Sequence, residues 1–464
     1  MKRFWLVLLS LGLVLAFSAS AMAVDVKFSG SFYAAGMYLD KTTLRNTNDG
    51  SDNVSTAFYF QRLRVQTDFI VSPGLKLVTR FDAMERAWGA PRSTAITTAQ
   101  VDSAGTAAES ENIAIDWAYI NYASPIGTFD VGIMNSGATG TIFGNSPIPA
   151  GRIKYSYTIG AATINADITK VKDKSLTAKN AVTYTDADND QYAVEGVFTI
   201  TKDAKVGMKV TYYNYDEFSP GKSTDSPVGN FKKKYFLFTP YAIIKTGPVE
   251  IQAEVNYATG HVRKFGDSLA ADYSLNNLSA FVDATATFGP VYFGGTFAYI
   301  SGDDPGTTDK QEGGTLNGGN DWNPTLIMFN YYDRTYWAGN LNGYNTSNAG
   351  PMGNDPVTTL AGAVSGAGFP GAWFGQGRIG VRPIAALDIM ASLSYATADQ
   401  KPATILNSVF GWEVDITGTY KITNNLSYMM GVGYWFVGDY YKGSSNDNSL
   451  RNEYMLINKL TLTF

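Results

Sequence analysis

The stretch Val249–Tyr257, VEIQAEVNY, sorts its side chains by parity: Val249, Ile251, Ala253, Val255 and Tyr257 alternate with Glu250, Gln252, Glu254 and Asn256. Successive residues of a β-strand point to opposite faces, so as a strand this segment has one apolar and one polar side, a division no helix makes. The pattern returns at Leu387–Tyr395, where Leu387, Ile389, Ala391, Leu393 and Tyr395 oppose Asp388, Ser392 and Ser394. It returns again where Trp412, Val414, Ile416, Gly418 and Tyr420 oppose Glu413, Asp415, Thr417, Thr419 and Lys421.

Extended along the chain, this reading gives eighteen strands: 25–39, 55–70, 75–87, 112–124, 128–136, 151–160, 162–173, 190–200, 205–217, 232–246, 249–259, 276–288, 291–301, 371–382, 387–398, 409–421, 426–440 and 452–464. Most exceed the roughly 5–6 residues usual in soluble sheets and suit the roughly 9–11 of a tilted membrane-crossing strand. The weakly patterned 128–136 and 162–173 make sixteen the alternative count, and Pro240 predicts a bulge or local opening within 232–246. Connections alternate in length. Tight turns such as Ser72-Pro73-Gly74, Gly160-Ala161, Gly247-Pro248 and Gly289-Pro290 alternate with long polar stretches such as 88–111, 218–231, 260–275 and 302–370. Short turns at one end and long loops at the other mark an up-and-down transmembrane barrel.

Composition agrees. The 464 residues carry 36 basic and 41 acidic side chains, only 17% charged residues, 47 Gly and 29 Tyr. The absence of Cys excludes disulfides, thiolate metal sites and thiol catalysis, and the net charge of −5 argues against a nucleic-acid partner. Residues 1–23 read as a secretory signal, with Lys2 and Arg3, an apolar stretch from Phe4 to Phe17, and Ala21-Met22-Ala23 as the cleavage site. The expected mature chain, 24–464, is a single all-β, antiparallel transmembrane barrel.

An unpaired backbone group in hydrocarbon costs several kcal/mol, so a spanning sheet must close on itself. The last strand is suited to closure: Tyr454, Leu456, Leu460, Leu462 and Phe464 share a face. Here the chain resembles Gram-negative outer-membrane porins, in which a terminal strand of alternating hydrophobics ending in Phe is the signal for the barrel assembly machinery. Residues 411–440 further resemble large porins of anaerobic, metal-reducing proteobacteria. The resemblance implies residence in the cell outer membrane among lipid and lipopolysaccharide, and it admits a homotrimer.

A barrel of 16–18 strands leaves an aqueous channel, so the inward polar face carries the function. Mid-strand inward positions are the basic Arg62, Arg64, Arg80 and Arg378 and the acidic Glu254, Asp283, Glu413 and Asp415. The second and eleventh strands of eighteen are diametrically opposite. One reading is therefore a transverse field across the waist that selects permeating solutes. The other is a ring of residues paired with neighbours, since Asp68 and Asp82 are close to the arginines. Loop 302–370 carries Trp322, Phe329, Tyr331, Tyr332, Tyr336 and Trp337. It is expected to constrict the mouth, to cap it from outside, or to stack on sugars, and loop 137–150 is a second candidate for an inward fold.

Catalysis has little support, because the only histidine, His261, sits beside Val262-Arg263-Lys264 with no serine motif. The Asp186-Ala187-Asp188-Asn189-Asp190 run resembles half a calcium loop but has Gln191 and Val197 where Gly and Glu belong. The expected function is a porin, without cofactor, passing small hydrophilic solutes and ions by diffusion. The alternative is a sleeve around a secreted or multihaem electron-transfer partner.

Overall fold

The computed structural model describes residues 24–47, 54–89, 113–146, 148–173, 188–216, 231–265, 271–314, 320–344 and 370–464. The expected export signal, 1–23, and part of the calcium-like run lie outside the described residues.

Eighteen antiparallel strands form one closed ring. They are β1 (Asp25–Leu39), β2 (Thr56–Ser72), β3 (Leu75–Ala87), β4 (Ala114–Ser124), β5 (Gly127–Asn135), β6 (Pro149–Ile159), β7 (Ala162–Lys172), β8 (Asn189–Thr201) and β9 (Ala204–Tyr215). They continue as β10 (Phe231–Thr246), β11 (Val249–Phe265), β12 (Tyr273–Phe288), β13 (Val291–Ile300), β14 (Ala372–Ile384), β15 (Leu387–Thr397), β16 (Val409–Lys421), β17 (Leu426–Val437) and β18 (Glu453–Thr463). Each strand pairs with its sequence neighbours, and β1 closes the ring on β18 from Ser31↔Thr463 to Leu39↔Met455. Lys310–Gln311 adds a two-residue parallel pairing on β12, outside the ring.

The exposure pattern is the inverse of a soluble protein's. On β16 Trp412, Val414 and Ile416 are 48%, 38% and 54% exposed, whereas Glu413 and Asp415 between them are 0% and 2% exposed. Apolar side chains out and polar side chains in is the arrangement a barrel needs when its solvent is lipid. The turn after β10 shows why the sequence closes so tightly there. Gly247 takes φ +57 ahead of Pro248, a left-handed conformation that suits the twist of a hairpin.

One detail decides between two sequence expectations, and another departs from them. At Pro240 the ladder to β11 passes from Phe238↔Tyr257 to Tyr241↔Glu254 without a change of register, while the ladder to β9 stays continuous through Pro240↔Met208. The proline thus opens one side locally and makes no bulge, because only its missing N–H is lost. Strands β11 and β12 also run past the expected ends at 259 and 276, with Gly260↔Leu275 and His261↔Ser274 still paired. Polar residues on both faces end the membrane pattern at these positions, but backbone pairing continues beyond it.

Candidate functional site

Two of the connections between strands fold into the barrel and stop at its waist. The segment between β5 and β6 is held by Glu254, which is 2% exposed at mid-barrel on β11. Glu254 Oε2 accepts from the Thr141 backbone N–H at 2.7 Å and from Thr141 Oγ1 at 2.9 Å, and Asn256 Nδ2 donates to its Oε1 at 2.8 Å. Lys209 Nζ on β9 donates to Thr139 Oγ1 at 3.0 Å. Gly140 and Gly144 let the backbone approach: a Cβ on either would lie within 2.5 Å of a Glu254 oxygen.

The second segment, 320–344, is seated in the same way on β16. Glu413 accepts the Ile327 and Met328 backbone N–H groups, each at 2.6 Å. Asp415 accepts from the Leu326 backbone. On β14, Gln376 Nε2 donates to the Pro324 carbonyl at 2.6 Å. Gly433 on β17 leaves the room this requires, since a Cβ there would stand 2.7 Å from Asp415 Oδ1 and 3.1 Å from Leu326 Cβ. Further along, Asp333 pairs with Lys459 on β18 and the Trp337 ring stacks on Phe60 of β2 at 4.5 Å.

The two segments meet each other. The Asp321 N–H donates to the Asn145 carbonyl at 3.1 Å, and Trp322 packs edge-on to Phe143, Phe329 and Phe374 at 5.2–5.5 Å. Burying these rings inside the barrel removes their apolar area from water and adds ring–ring contacts worth about 0.5–1.5 kcal/mol each. Together the segments line the inner wall from β9 round to β2. Within the second, Arg334 is buried and donates to Gly339 O and Thr335 Oγ1. Burial pulls its guanidinium down to about 10, so it keeps its charge at neutral pH.

Past Phe60 on β2, the wall round to β8 carries no such covering contact among the described residues. Arg64 grips Asp82 through Nε and Nη2, both at 2.6 Å. Arg80 reaches Asp116 at 2.8 Å and lies 3.4 Å over the Trp117 ring. Arg62 is 3.5 Å from Glu85 and lies over Tyr33. Facing them, Tyr332 donates to Asp321 at 2.9 Å. Burial and Asp321 push the Tyr332 hydroxyl up while Arg62 and Arg64 oppose the shift, which places the arginines within electrostatic reach of the folded-in segment. Tyr336 is likewise pushed up to about 12 by burial, with Glu85 adding to it.

The structure therefore sorts the sequence candidates into three groups. Arg62, Arg64 and Arg80 sit together on the uncovered wall. Arg378 and Asp283 form their own bidentate pair at 2.7–2.8 Å. Glu254, Glu413 and Asp415 lie beneath the inward segments, as anchors. Loops 137–150 and 302–370 both supply inward folds. Sequence reasoning missed the second polar cluster on the uncovered wall, where Arg152 pairs with Asp167 at 2.6 Å and Lys154 stands opposite Asp130 and Asp167. Its period-two polarity on β6 and β7 is the signal that could have shown it. At the terminal strand, Leu456, Leu460, Leu462 and Phe464 are 39–49% exposed on the outer face, while Tyr454 meets Tyr38 of β1 at 5.8 Å. His261 Nε2 is 3.9 Å from Asp272, and Ser274, across the ladder from it, donates its hydroxyl to the Asp309 carbonyl.

No family model and no curated protein matches the sequence. Solved structures do. Pseudomonas aeruginosa OccK9 (OpdG) is similar at 13% identity and a TM-score of 0.50, over 94% of this chain and 99% of that one. Pseudomonas aeruginosa OpdQ is similar at 12% identity and 0.49, over 95% and 97%. The outer membrane channel DcaP of Acinetobacter baumannii is similar at 10% identity and 0.44, over 96% and 99%. The chain thus shares the fold of OccK9 (OpdG) over 94% of its length.

Proposed function

We propose that the chain is an outer-membrane porin that passes small hydrophilic solutes and ions by diffusion through the eccentric passage beside β2–β8. The observation that carries this reading is an eighteen-strand closed ring with a polar interior, in which the described inward segments are fixed to one half of the wall. Arg62, Arg64 and Arg80 face the passage and set its charge preference, their partners Glu85, Asp82 and Asp116 moderating it. The anchored segments occupy space a sheathed protein would need, which weighs against the sleeve. Assembly through the terminal strand and export by a cleaved leader complete the reading. Planar-bilayer recording of the mature protein, with liposome swelling in sugars of graded size, tests it. Ohmic channels with a sharp size cut-off are expected, and a folded protein that neither conducts nor admits sugars would overturn it.

A further inference from the structure

The seat of segment 320–344 calls for one hydrogen more than two ionised carboxylates can supply. Glu413 accepts the Ile327 and Met328 N–H groups, one on each oxygen. It also accepts the Thr325 hydroxyl, whose oxygen in turn takes the Phe329 N–H at 2.7 Å. Asp415, two residues along β16 on the same inward face, lies within hydrogen-bonding reach of Glu413. A carboxylate has about four acceptor sites and no donor, so two ionised groups in contact would set acceptor against acceptor. With three donors already on it, Glu413 is the acceptor of the pair. The missing hydrogen therefore belongs to Asp415, whose Oδ1 is buried with no donor on it.

The surroundings do not balance two negative charges. Across the ladders Glu413 faces Ser394 on β15 and Trp435 on β17, and Asp415 faces Ser392 and Gly433. Ser392 Oγ is 3.5 Å from Asp415 Oδ2, and Gln376 on β14 directs its amide to Ser394 and the Pro324 carbonyl. Among the described residues neither acid has a Lys, Arg or His within ion-pair distance. Lys459 on β18 is engaged with Asp333. From the segment, Arg334 acts on Glu413, and Glu453 on β18 shares it. One buried cation can balance one carboxylate, and a second charge beside the first is opposed by burial and by repulsion together.

We propose that the seat of segment 320–344 is a proton-binding site: Asp415 and Glu413 hold one proton between them while the segment is seated, and the segment leaves the wall when that proton is lost. Seated, Asp415 donates the proton to Glu413. When the proton passes to water both carboxylates are charged, and they regain solvation only by releasing Leu326, Ile327 and Met328. The seated form binds one proton more than the released form, so raising the pH favours release, by up to about tenfold per unit. The inference deepens the proposed constriction of a diffusion channel and rests on that reading for only one of its two readouts.

The test records single channels of the mature protein over a rising pH series. In parallel it follows hydrogen exchange of the peptide carrying residues 326–328 in the folded barrel in detergent, corrected for intrinsic pH dependence. In the wild type, occupancy of a larger conductance level and the corrected exchange should both climb toward alkaline pH, by up to about tenfold per unit. Asp415→Asn donates an amide N–H to Glu413 and keeps an acceptor for Leu326, so it needs no proton and should be flat in both readouts. Where it fails to fold, Glu413→Gln, whose amide serves Asp415 from the other side, should be equally flat on a looser seat. A barrel that does not conduct but exchanges in this pH-dependent way would sink the porin reading and leave the proton site standing. Wild-type exchange that ignores pH, release on acidification instead, or the wild-type slope in the folded variants would overturn the proposal.

Discussion

Changing Glu413 to Ala removes the acceptor of two buried N–H groups, those of Ile327 and Met328, each bonded at 2.6 Å. Leaving a buried donor unsatisfied costs about 1–3 kcal/mol, so segment 320–344 loses about 2–6 kcal/mol of its seat. Even about 2 kcal/mol shifts the ratio of seated to released segment about 30-fold. Glu413→Gln offers a single acceptor oxygen, keeps one of the two bonds, and should lose about half as much. The ring itself is spared, because β16 keeps its backbone ladders to both neighbours. In single-channel recordings Glu413→Ala should show a larger mean conductance with frequent steps between two levels, and Glu413→Gln a smaller change in the same direction. If folded Glu413→Ala conducts with wild-type amplitude and wild-type open-channel noise, the carboxylate does not hold the constriction.

Four further outcomes follow from the same geometry. Gly433→Leu drives a side chain into Asp415 and Leu326 and should reproduce the two-level conductance without replacing an anchor residue. Replacing Arg62, Arg64 and Arg80 together with Gln leaves Glu85, Asp82 and Asp116 unpaired, so reversal potentials in a salt gradient should move toward cation preference. Trp322→Ala empties a site among Phe143, Phe281, Phe329 and Phe374, a loss of about 3–5 kcal/mol that should appear as faster proteolysis within 320–344 while the barrel resists. Deleting Phe464 removes its two backbone bonds with Gly30, at 2.8 and 3.1 Å, and should lower the yield of assembled barrel in outer-membrane fractions.

The fold was legible because lipid imposes a rule the sequence must obey residue by residue. In β11 and β16 every second side chain is apolar, and the structure puts those side chains outside. Which inward residues face water was not legible by the same rule. Parity says that Glu413 and Arg64 both point inward, but not that one is covered by Ile327 and Met328 while the other pairs with Asp82 on the neighbouring strand. That distinction depends on loops whose conformation has no period. Its local traces are the glycines that make room, Gly140, Gly144 and Gly433, and the aromatic residues of 322–337, which need a place away from water. Likewise Asp167 lies on β7, one of the two weakly patterned strands, although Arg152 and Lys154 across from it alternate regularly on β6.

The most direct test uses the absence of cysteine from the chain. Single cysteines placed at Arg80, Phe81 and Ile416 can be probed in conducting channels with a charged thiol reagent. The Arg80 position should reduce the current in one step on modification, while Phe81 and Ile416, on the outer face, should leave it unchanged. Current block from Phe81 or Ile416, or silence at Arg80 in a folded, conducting channel, would contradict the closed barrel with its passage along β2–β8.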